Sequence, residues 1–210
     1  IAIDEGTTST RAVLYDLDKK KITAQKASPV KQIYLEQGYV EENAGEIYAE
    51  TLASLVEMIE QADKPKDILG IGITNQRETV IAWDKTTGKP LYNAIVWQCR
   101  RTAETIAEIG KKYGGIIREK TGLVLDAYFS ASKMKWLMDN VPEIRAKAAA
   151  GELCFGTVDS FLCYKLTGGK AFVTDVTNAS RTMLFNIHAC EWDDELLDIF
   201  GIPKNSLPKV

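Results

Sequence analysis

The amino-acid sequence predicts an α/β fold in which a mixed sheet is flanked by helices. Two apolar runs, residues 1–3 and 12–15, flank a turn that contains a glycine and predict a β-hairpin. Residues 22–28 continue this hairpin into a third strand. Apolar residues between positions 48 and 62 then recur at helical spacing, and the apolar run 68–74 predicts a buried strand.

The first helix has recognisable start and stop signals. Asn43, followed three residues later by Glu46, is a capping-box pattern with asparagine in place of serine or threonine. Pro65 marks the end of the helix, because proline cannot donate the next backbone hydrogen bond. Residues 38–42, which precede the cap, are expected to form a loop.

The remainder of the chain predicts short strands alternating with helices. Strands are expected at residues 79–83, 94–97 and 153–155. Helices are expected at residues 102–112, 131–140, 143–150, 158–166 and 193–200, with a loop at residues 126–130. Residues 174–181 are expected to form a polar loop, and no internal repeat or flexible linker interrupts the chain.

Three strands, a helix and a strand follow one another as in the ribonuclease-H-like fold, which this element order resembles. That fold occurs in actin, Hsp70 and sugar kinases, where the first hairpin turn holds the phosphates of ATP. Similarity of fold does not assign a function by itself, so the function has to be argued from particular residues.

Composition excludes several classes of protein. The 210 residues are 45% hydrophobic and 26% charged with a net charge of −3, which is typical of a soluble globular chain and argues against binding to nucleic acid or to a membrane surface. The apolar runs are too short to span a membrane, and no signal peptide is recognisable. The first residue is not methionine and lies within a predicted strand, which suggests a fragment.

The four cysteines and the one histidine predict neither a disulfide framework nor a zinc site. Cys99, Cys154, Cys163 and Cys190 are scattered without a C-x-x-C pair. Reduced, buried thiols in a cytoplasmic protein are therefore expected, and His188 is expected to be an ordinary, partly buried histidine.

The hairpin turn is unusually rich in groups that suit phosphate. Gly6 allows a tight bend, and the hydroxyl and N–H groups of the residues after it can point at one anion. Asp4, at the end of the first strand, suits a magnesium ion held largely through water. When this stretch is considered alone, a polar hairpin tip without a ligand is the favoured explanation.

A second polar segment, residues 74–79, directly follows the predicted strand 68–74. Loops at strand ends carry function on a rigid scaffold, and a guanidinium next to a carboxylate can serve one small polyol. In such a site Arg77 donates to hydroxyl oxygens and Glu78 accepts from hydroxyl hydrogens. A solvated turn between strands is the alternative.

Two aromatic residues are further candidates for a polyol site. Trp97 ends a predicted strand and could cover the carbon face of a small ligand, and Tyr128 could give a ligand hydroxyl one hydrogen bond. Packing in the hydrophobic core is the more common role of such residues.

Other catalytic motifs are not supported. Ser130 and Lys133 match the S-x-x-K motif of penicillin-binding enzymes, but the K-T-G at residues 120–122 lies on the wrong side of it and S-D-N is missing. No Walker A lysine, dinucleotide fingerprint or G-x-S-x-G is present.

Taken together, five segments resemble the FGGY family of carbohydrate kinases, and within it the glycerol kinases. The segments run in family order along the chain and are residues 4–11 (DEGTTSTR), 73–79 (ITNQRET), 93–101 (NAIVWQCRR), 155–159 (FGTVD) and 177–186 (TNASRTMLFN). Several of them distinguish glycerol kinases from xylulose and gluconate kinases.

The resemblance implies a role for each matching residue. Thr7, Thr8, Ser9 and Arg11 match residues that contact the ATP phosphates, and Asp4 matches one that helps to place Mg²⁺. Residues that hydrogen-bond glycerol are matched by Arg77, Glu78 and Tyr128, and a residue that packs against the glycerol carbons is matched by Trp97. The implied reaction is ATP-dependent phosphorylation of glycerol to sn-glycerol 3-phosphate.

The resemblance also implies what these 210 residues do not contain. They match the amino-terminal domain, whereas the general base, the adenosine pocket and an allosteric site belong to a carboxy-terminal domain in the family. We therefore expect the fragment to be inactive alone and the full-length protein to be a homo-oligomer. Glu5 departs from the glutamine that many members carry, and its side chain is expected to point away from the phosphates.

Two rival functions are compatible with parts of the sequence. A non-catalytic, actin-like nucleotide-binding module would use the same phosphate turn but would not bind polyols, which the Arg77–Glu78 pair argues against. A hydrolase or sugar-binding protein is disfavoured because no nucleophile–base pair is present. Another FGGY kinase acting on a different polyol or sugar is the nearest alternative.

Overall fold

The computed structural model describes all residues, 1–210, and contains eleven strands and seven α-helices. The strands are β1 (Ala2–Glu5), β2 (Ser9–Asp16), β3 (Lys21–Pro29), β4 (Gln32–Tyr34), β5 (Val40–Glu42), β6 (Gly72–Asn75), β7 (Ile81–Asp84), β8 (Ala94–Ile95), β9 (Leu153–Gly156), β10 (Phe185–Asn186) and β11 (Glu191–Trp192). The helices are α1 (Ala44–Glu60), α2 (Ala103–Thr121), α3 (Ser130–Asn140), α4 (Pro142–Ala149), α5 (Val158–Leu166), α6 (Val176–Ala179) and α7 (Asp194–Phe200). None of these helices combines the length and the apolar character that crossing a membrane requires.

The central sheet has the strand order β3-β2-β1-β6 and is mixed, as the sequence predicts. β1 pairs antiparallel with β2 and parallel with β6, and β2 pairs antiparallel with β3. Side chains alternate between the two faces of the sheet, so Ile3 and Ala12 are buried beneath α1 whereas Asp4 and Arg11 are exposed on the opposite face. The predicted α/β fold with a mixed sheet and flanking helices is confirmed.

Helix α1 begins where the capping pattern predicts. The Asn43 side chain accepts hydrogen bonds from the backbone N–H groups of Gly45 and Glu46, at 2.8 and 3.2 Å. These bonds satisfy two of the four donors that a helix N-terminus leaves free. Ile47, Thr51 and other residues at helical spacing bury one face of α1 against the sheet.

The rest of the chain folds over two hydrophobic clusters. The larger cluster gathers residues from β7, β9 and helices α2, α3 and α7, with Phe155 and Leu184 among its fully buried members. The smaller one lies between α1 and α5, where Trp83 packs against the rings of Phe161 and Phe172 at 5.3 and 5.4 Å.

Two predicted loops contain regular structure instead. Residues 38–42 include strand β5, which is fully buried and pairs with both β4 and β8. Residues 174–181 include the single-turn helix α6, whose cap is the Asp175 side chain. The loop predictions were wrong here because partners distant in sequence, or one cap residue, decided the conformation.

Helix α2 ends at Thr121, nine residues later than predicted. The glycines at positions 110, 114 and 115 favour a stop at residue 112 by intrinsic propensity. Burial of Ile106 and Ile117 in the larger cluster outweighs that preference. A Cβ on Gly110 would lie 3.4 Å from the Leu125 side chain, so the small residue also allows a close approach.

The predicted buried strand at residues 68–74 is an exposed edge strand. β6 covers Gly72–Asn75 and pairs with β1 on one side only. Leu69 lies outside the strand with 85% of its surface exposed, and Ile71 is 45% exposed. Apolar composition therefore did not imply burial within this chain.

His188 is exposed, not partly buried, and its Nε2 lies 3.0 Å from the carbonyl oxygen of Glu119. All four cysteines are free, as predicted, and Cys99 and Cys154 are buried. Cys190 is exposed, so the expectation of burial fails for this thiol.

Two carboxyl groups, Glu5 and Glu42, are completely buried. The hydroxyls of Thr10 and Thr51 donate to Glu5, and the Gln76 amide donates to Glu42 at 2.7 Å. Burial raises the pKa of each of these carboxyls to about 7, and repulsion from Glu5 adds to the shift at Glu42. Near neutral pH the pair is therefore expected to retain protons that the unfolded chain has released.

We predict that stability falls as the pH rises from about 4.5 to about 7. In that window the folded state binds more protons than the unfolded state, since the unfolded glutamates titrate near pH 4.5. Glu5→Gln removes one of the two charges. The unfolding free energy lost between pH 5 and pH 8 should therefore be about 1–3 kcal/mol smaller in this variant than in the wild type. Urea denaturation at the two pH values measures the difference.

Glu36→Gln is the control for this prediction, because Glu36 is an exposed glutamate. It should leave the pH dependence of the unfolding free energy unchanged. A Glu5→Gln variant with the wild-type dependence would show that the buried pair does not hold extra protons.

Candidate active site

The turn between β1 and β2 consists of residues 6–8 and is tightly held. The Gly6 N–H donates to the carbonyl of Ser9 at 3.0 Å, and the Val30 N–H donates to the carbonyl of Thr8 at 3.0 Å. A Cβ on Gly6 would lie 3.2 Å from the Ser9 carbonyl oxygen, so the turn requires a residue without a bulky side chain. The side chain of Thr8 is exposed, and those of Thr7 and Ser9 are half-buried.

Asp4 and Arg11 are directly opposite each other on the adjoining strands. Asp4 is also opposite Thr74 of β6, and all three residues are exposed on the sheet face that points away from α1. Ser9 and Arg11 belong to β2, so the polar surface extends from the turn onto the face of the sheet. This arrangement places a carboxylate and a guanidinium beside the hydroxyls of the turn.

A metal site built from protein groups alone is not present. No group of three or more histidine, cysteine, aspartate or glutamate side chains could hold an ion. One exposed carboxylate such as Asp4 fits magnesium nevertheless, because magnesium keeps several waters and is commonly bound by one or two carboxylates together with substrate phosphates. Asp4 as a magnesium residue stays a prediction.

A hydrogen bond connects the turn to the predicted polyol residues. Trp97 Nε1 donates to Thr7 Oγ1 at 2.9 Å, although the two residues are 90 positions apart. The Trp97 ring lies 5.2 Å from the Tyr128 ring at an interplanar angle of 55°. The structure therefore brings Thr7, Trp97 and Tyr128 to one place, where hydroxyl and aromatic groups adjoin.

Glu78 lies beside this group in an unusual backbone conformation. Its φ of 66° is in the left-handed region, and its side chain is only 3% exposed. Left-handed conformations of residues other than glycine are uncommon and concentrate at functional sites. The Ser130 hydroxyl donates to the Glu78 carbonyl at 3.1 Å, which supports this conformation.

Arg181 is the partner of Glu78, and the sequence analysis did not identify it as a site residue. Arg181 Nε donates to Glu78 Oε1 at 2.5 Å. Its guanidinium carbon lies 4.8 Å from the centre of the Phe129 ring and 5.7 Å from that of Tyr128. The sequence placed Arg181 at the end of a polar loop, and no local pattern indicates a contact across 103 residues.

Arg77 and Glu78 make no ion pair with each other. The Glu78 carboxylate is directed at Arg181, whereas the Arg77 side chain is exposed and makes no hydrogen bond or ion pair within the chain. Its five N–H groups are thus free to meet a ligand. That both side chains serve one polyol stays a prediction.

Hydrogen bonds between buried polar groups hold the segments of the candidate site together. The Gln76 N–H donates to the Glu5 carbonyl at 2.6 Å, and the Thr79 hydroxyl donates to the Gln76 side chain at 2.9 Å. The same hydroxyl accepts the Trp97 N–H at 3.2 Å. The Glu5 side chain points into the core and away from the turn, as expected from the sequence. The start of the turn, the loop after β6 and Trp97 are therefore tied to one another.

The sequence model for the N-terminal domain of the FGGY family of carbohydrate kinases matches residues 1–210. A glycerol kinase from Bacillus thuringiensis is 54% identical over 212 residues, which cover 100% of this chain and 42% of that protein. A glycerol kinase from Bacillus mycoides is also 54% identical over 213 residues, again 100% of this chain and 42% of the relative. The chain thus spans less than half the length of the curated relatives that it matches.

Solved structures show the same relationship. The crystal structure of Plasmodium falciparum glycerol kinase with ADP aligns with a TM-score of 0.92 at 41% identity, over 99% of this chain and 42% of that chain. A ligand-bound xylulose kinase from Lactobacillus acidophilus aligns with a TM-score of 0.85 at 27% identity, over 100% of this chain and 42% of that chain. A gluconate kinase from the same organism reaches 0.85 at 28% identity, over 99% and 40%.

We predict that Arg181→Met destabilises the chain by about 2 kcal/mol or more, because it leaves the buried Glu78 carboxylate without its counter-charge. The double variant Glu78→Gln with Arg181→Met should recover part of this loss, since no buried charge remains unpaired. Thermal or urea unfolding of the single and double variants measures the coupling.

Lys204→Met is a matched control for this prediction. Lys204 pairs with Asp194 at 2.7 Å, but the two side chains are 56% and 77% exposed. Its loss should cost less than about 1 kcal/mol. If Arg181→Met and Lys204→Met lowered the unfolding free energy equally, the Arg181–Glu78 pair would contribute no more to stability than an exposed ion pair.

Proposed function

This chain belongs to the FGGY family of carbohydrate kinases, and on that basis we propose that residues 1–210 form the amino-terminal domain of a glycerol kinase. The proposed reaction transfers the γ-phosphoryl group of ATP to a terminal hydroxyl of glycerol and gives sn-glycerol 3-phosphate. The observation that carries the proposal is the hydrogen bond from Trp97 to Thr7, which joins the phosphate turn to the polyol residues. Identity of 54% to glycerol kinases over the whole chain supports the choice of substrate.

The turn and the adjoining sheet face are proposed to bind the ATP phosphates. The hydroxyls of Thr7, Thr8 and Ser9 can donate to phosphate oxygens, and the exposed Arg11 guanidinium can neutralise their charge. Mg²⁺ bound with the nucleotide would be held near Asp4, largely through water. Phosphoryl transfer depends chiefly on positioning and on stabilisation of the charge that spreads over the transferred group, and these residues supply both.

The second cluster is proposed to bind glycerol. Arg77 donates to hydroxyl oxygens, the Glu78 carboxylate accepts from hydroxyl hydrogens, and the Tyr128 hydroxyl makes a further hydrogen bond. The Trp97 ring packs against the carbon backbone. Arg181 keeps the Glu78 carboxylate in one orientation, so the acceptor does not have to be ordered when the substrate binds.

The remaining catalytic groups are proposed to come from the portion of the relatives that this chain does not match. A general base for the glycerol hydroxyl and the adenosine pocket belong to this portion, and closure of two domains would exclude water from the reaction. Residues 1–210 alone should then bind ligands weakly without turnover. We also propose that the full-length protein is cytoplasmic and homo-oligomeric.

A kinase for another polyol or sugar is the second candidate. Xylulose and gluconate kinases share the fold at TM-scores of 0.85, but their identity to this chain is only 27% and 28%. A nucleotide-binding module without kinase activity would leave the exposed Arg77 and the ordered Glu78–Arg181 pair without a ligand.

Calorimetric titration tests the proposal directly. Glycerol, xylulose, gluconate and Mg-ATP are titrated separately into residues 1–210 and into the full-length protein, and phosphorylation of each acceptor is then assayed. We expect the full-length protein to phosphorylate glycerol in preference to xylulose and gluconate. Preference for xylulose or gluconate would favour the second candidate, and nucleotide binding without any acceptor would favour the non-catalytic module.

We predict that two substitutions in the full-length protein separate the two halves of the site. Glu78→Ala should raise the KM for glycerol by about 10- to 100-fold, because a hydrogen bond to a charged group contributes about 1.5–3 kcal/mol. Arg11→Ala should act mainly through ATP, raising its KM or lowering kcat. Steady-state kinetics with each substrate varied in turn measures both effects.

Glu108→Ala serves as the control for these variants, since Glu108 is 71% exposed and pairs only with Lys111. It should leave both KM values unchanged. If Glu78→Ala and Arg11→Ala also left the kinetics unchanged, the assignment of the site would be wrong.

A further inference from the structure

We propose that Lys133 is a positioning residue for the acceptor substrate, because its ammonium group fixes the backbone of residues 127–129 and thereby the Tyr128 side chain. This inference rests on the proposed function for its substrate. Lys133 does not touch the substrate in this proposal, and it acts through the segment that carries Tyr128.

Lys133 lies in the first half of α3 and has no exposed surface. Its Nζ donates to the carbonyl oxygens of Ala127, Tyr128 and Phe129 at 2.5, 2.7 and 3.1 Å. An ammonium group has three N–H donors, so these three acceptors satisfy it completely. A fully buried lysine is rare unless its charge is paired or fully hydrogen-bonded, and here the partners are consecutive carbonyls of one segment.

The segment that Lys133 holds carries residues of the candidate site. The Tyr128 ring packs against Trp97 at 5.2 Å, and the Phe129 ring lies beneath the Arg181 guanidinium at 4.8 Å. The segment has no regular structure, and Asp126 provides its other local bonds by accepting the N–H groups of Tyr128 and Phe129. The three bonds from Lys133 thus set the direction in which Tyr128 leaves the backbone.

The same helical turn also supports the second acceptor-binding residue. The Ser130 hydroxyl donates to the carbonyl of Glu78, the residue with positive φ. The S-x-x-K motif that Ser130 and Lys133 form therefore has a different use from that in penicillin-binding enzymes. The serine and the lysine each bond to a backbone carbonyl of the site, and no hydrogen bond joins them as a nucleophile and its base would require.

Burial lowers the pKa of the Lys133 ammonium, and the neighbouring carboxylates of Glu78 and Asp126 oppose that shift. The cost of burying the charge is consistent with a lysine retained for a specific contact. Methionine has a similar shape and would fill the same space without donating any hydrogen bond, so it separates packing from positioning.

Lys133→Met in the full-length protein tests the inference. We expect the KM for glycerol to rise about tenfold or more, since a displacement of a binding group by about 1 Å can cost up to 100-fold. The KM for Mg-ATP should stay within about twofold, because no residue of the phosphate turn contacts this segment except through Trp97. Lys133→Gln, which keeps an N–H₂ donor, should give an intermediate KM for glycerol.

A double-mutant cycle with Tyr128→Phe identifies the route of the effect. If Lys133 acts through the Tyr128 hydroxyl, Lys133→Met should change the KM for glycerol little when that hydroxyl is already missing. Lys135→Met is the matched control, because Lys135 lies on the same helix and pairs at the surface with Asp139 at 3.0 Å. It should leave both KM values unchanged.

The possible outcomes distinguish the inference from the function on which it rests. A wild-type protein without glycerol kinase activity overturns the proposed function. An active wild type whose Lys133→Met variant is less stable but keeps its KM for glycerol overturns only the positioning role. Should neither Lys133 variant fold, hydrogen exchange of the Lys133 Nζ protons in the wild type decides, since slow exchange supports lasting hydrogen bonds to the carbonyls of residues 127–129 and fast exchange contradicts them.

Discussion

The hydrogen bond between Trp97 and Thr7 is the contact on which the candidate site depends. It joins a hairpin at the start of the chain to a strand end 90 residues later, at a distance of 2.9 Å. Each partner alone has an ordinary explanation, as a polar hairpin tip or as a core tryptophan. Their contact places the residues proposed to bind phosphate beside those proposed to bind a polyol, as transfer between a nucleotide and an alcohol would require.

The residues around this contact are held by buried polar groups. Gln76 and Thr79 connect the loop after β6 to the carbonyl of Glu5 and to the backbone of Trp97. Arg181 orders the Glu78 carboxylate on the other side of the site. Such groups are costly to bury unless they are satisfied, and satisfied networks fix a single arrangement. The candidate ligand-binding side chains therefore rest on contacts within the chain that do not depend on a bound ligand.

The residues of the candidate site differ in exposure. Asp4, Thr8, Arg11 and Arg77 are exposed, whereas Glu78 is almost completely buried. Exposed charges contribute little binding energy in water, because solvent screens them. The same interactions would be stronger where water is excluded.

The sequence by itself determined the parts of the structure that depend on near neighbours. Local periodicity, caps and turn residues predict the strands of the first hairpin, the Asn43 cap and helices α3, α5 and α7. In the structure these elements lie within a few residues of the predicted bounds. The family was also visible in the sequence, because its motifs are short contiguous segments. The candidate residues Thr7, Glu78, Trp97 and Tyr128 were therefore named before any contact between them was known.

The tertiary structure alone decided which of these groups meet. Strand β5 forms because β4 and β8 pair with it, and residues 68–74 contribute an exposed edge because nothing in the chain pairs beyond β6. The Arg181–Glu78 pair spans 103 residues, and the role of Lys133 depends on three carbonyls that all sequences possess. Periodicity describes the preferences of neighbouring residues, whereas contacts between distant segments are set by how the whole core packs, and a single sequence carries no local record of that packing.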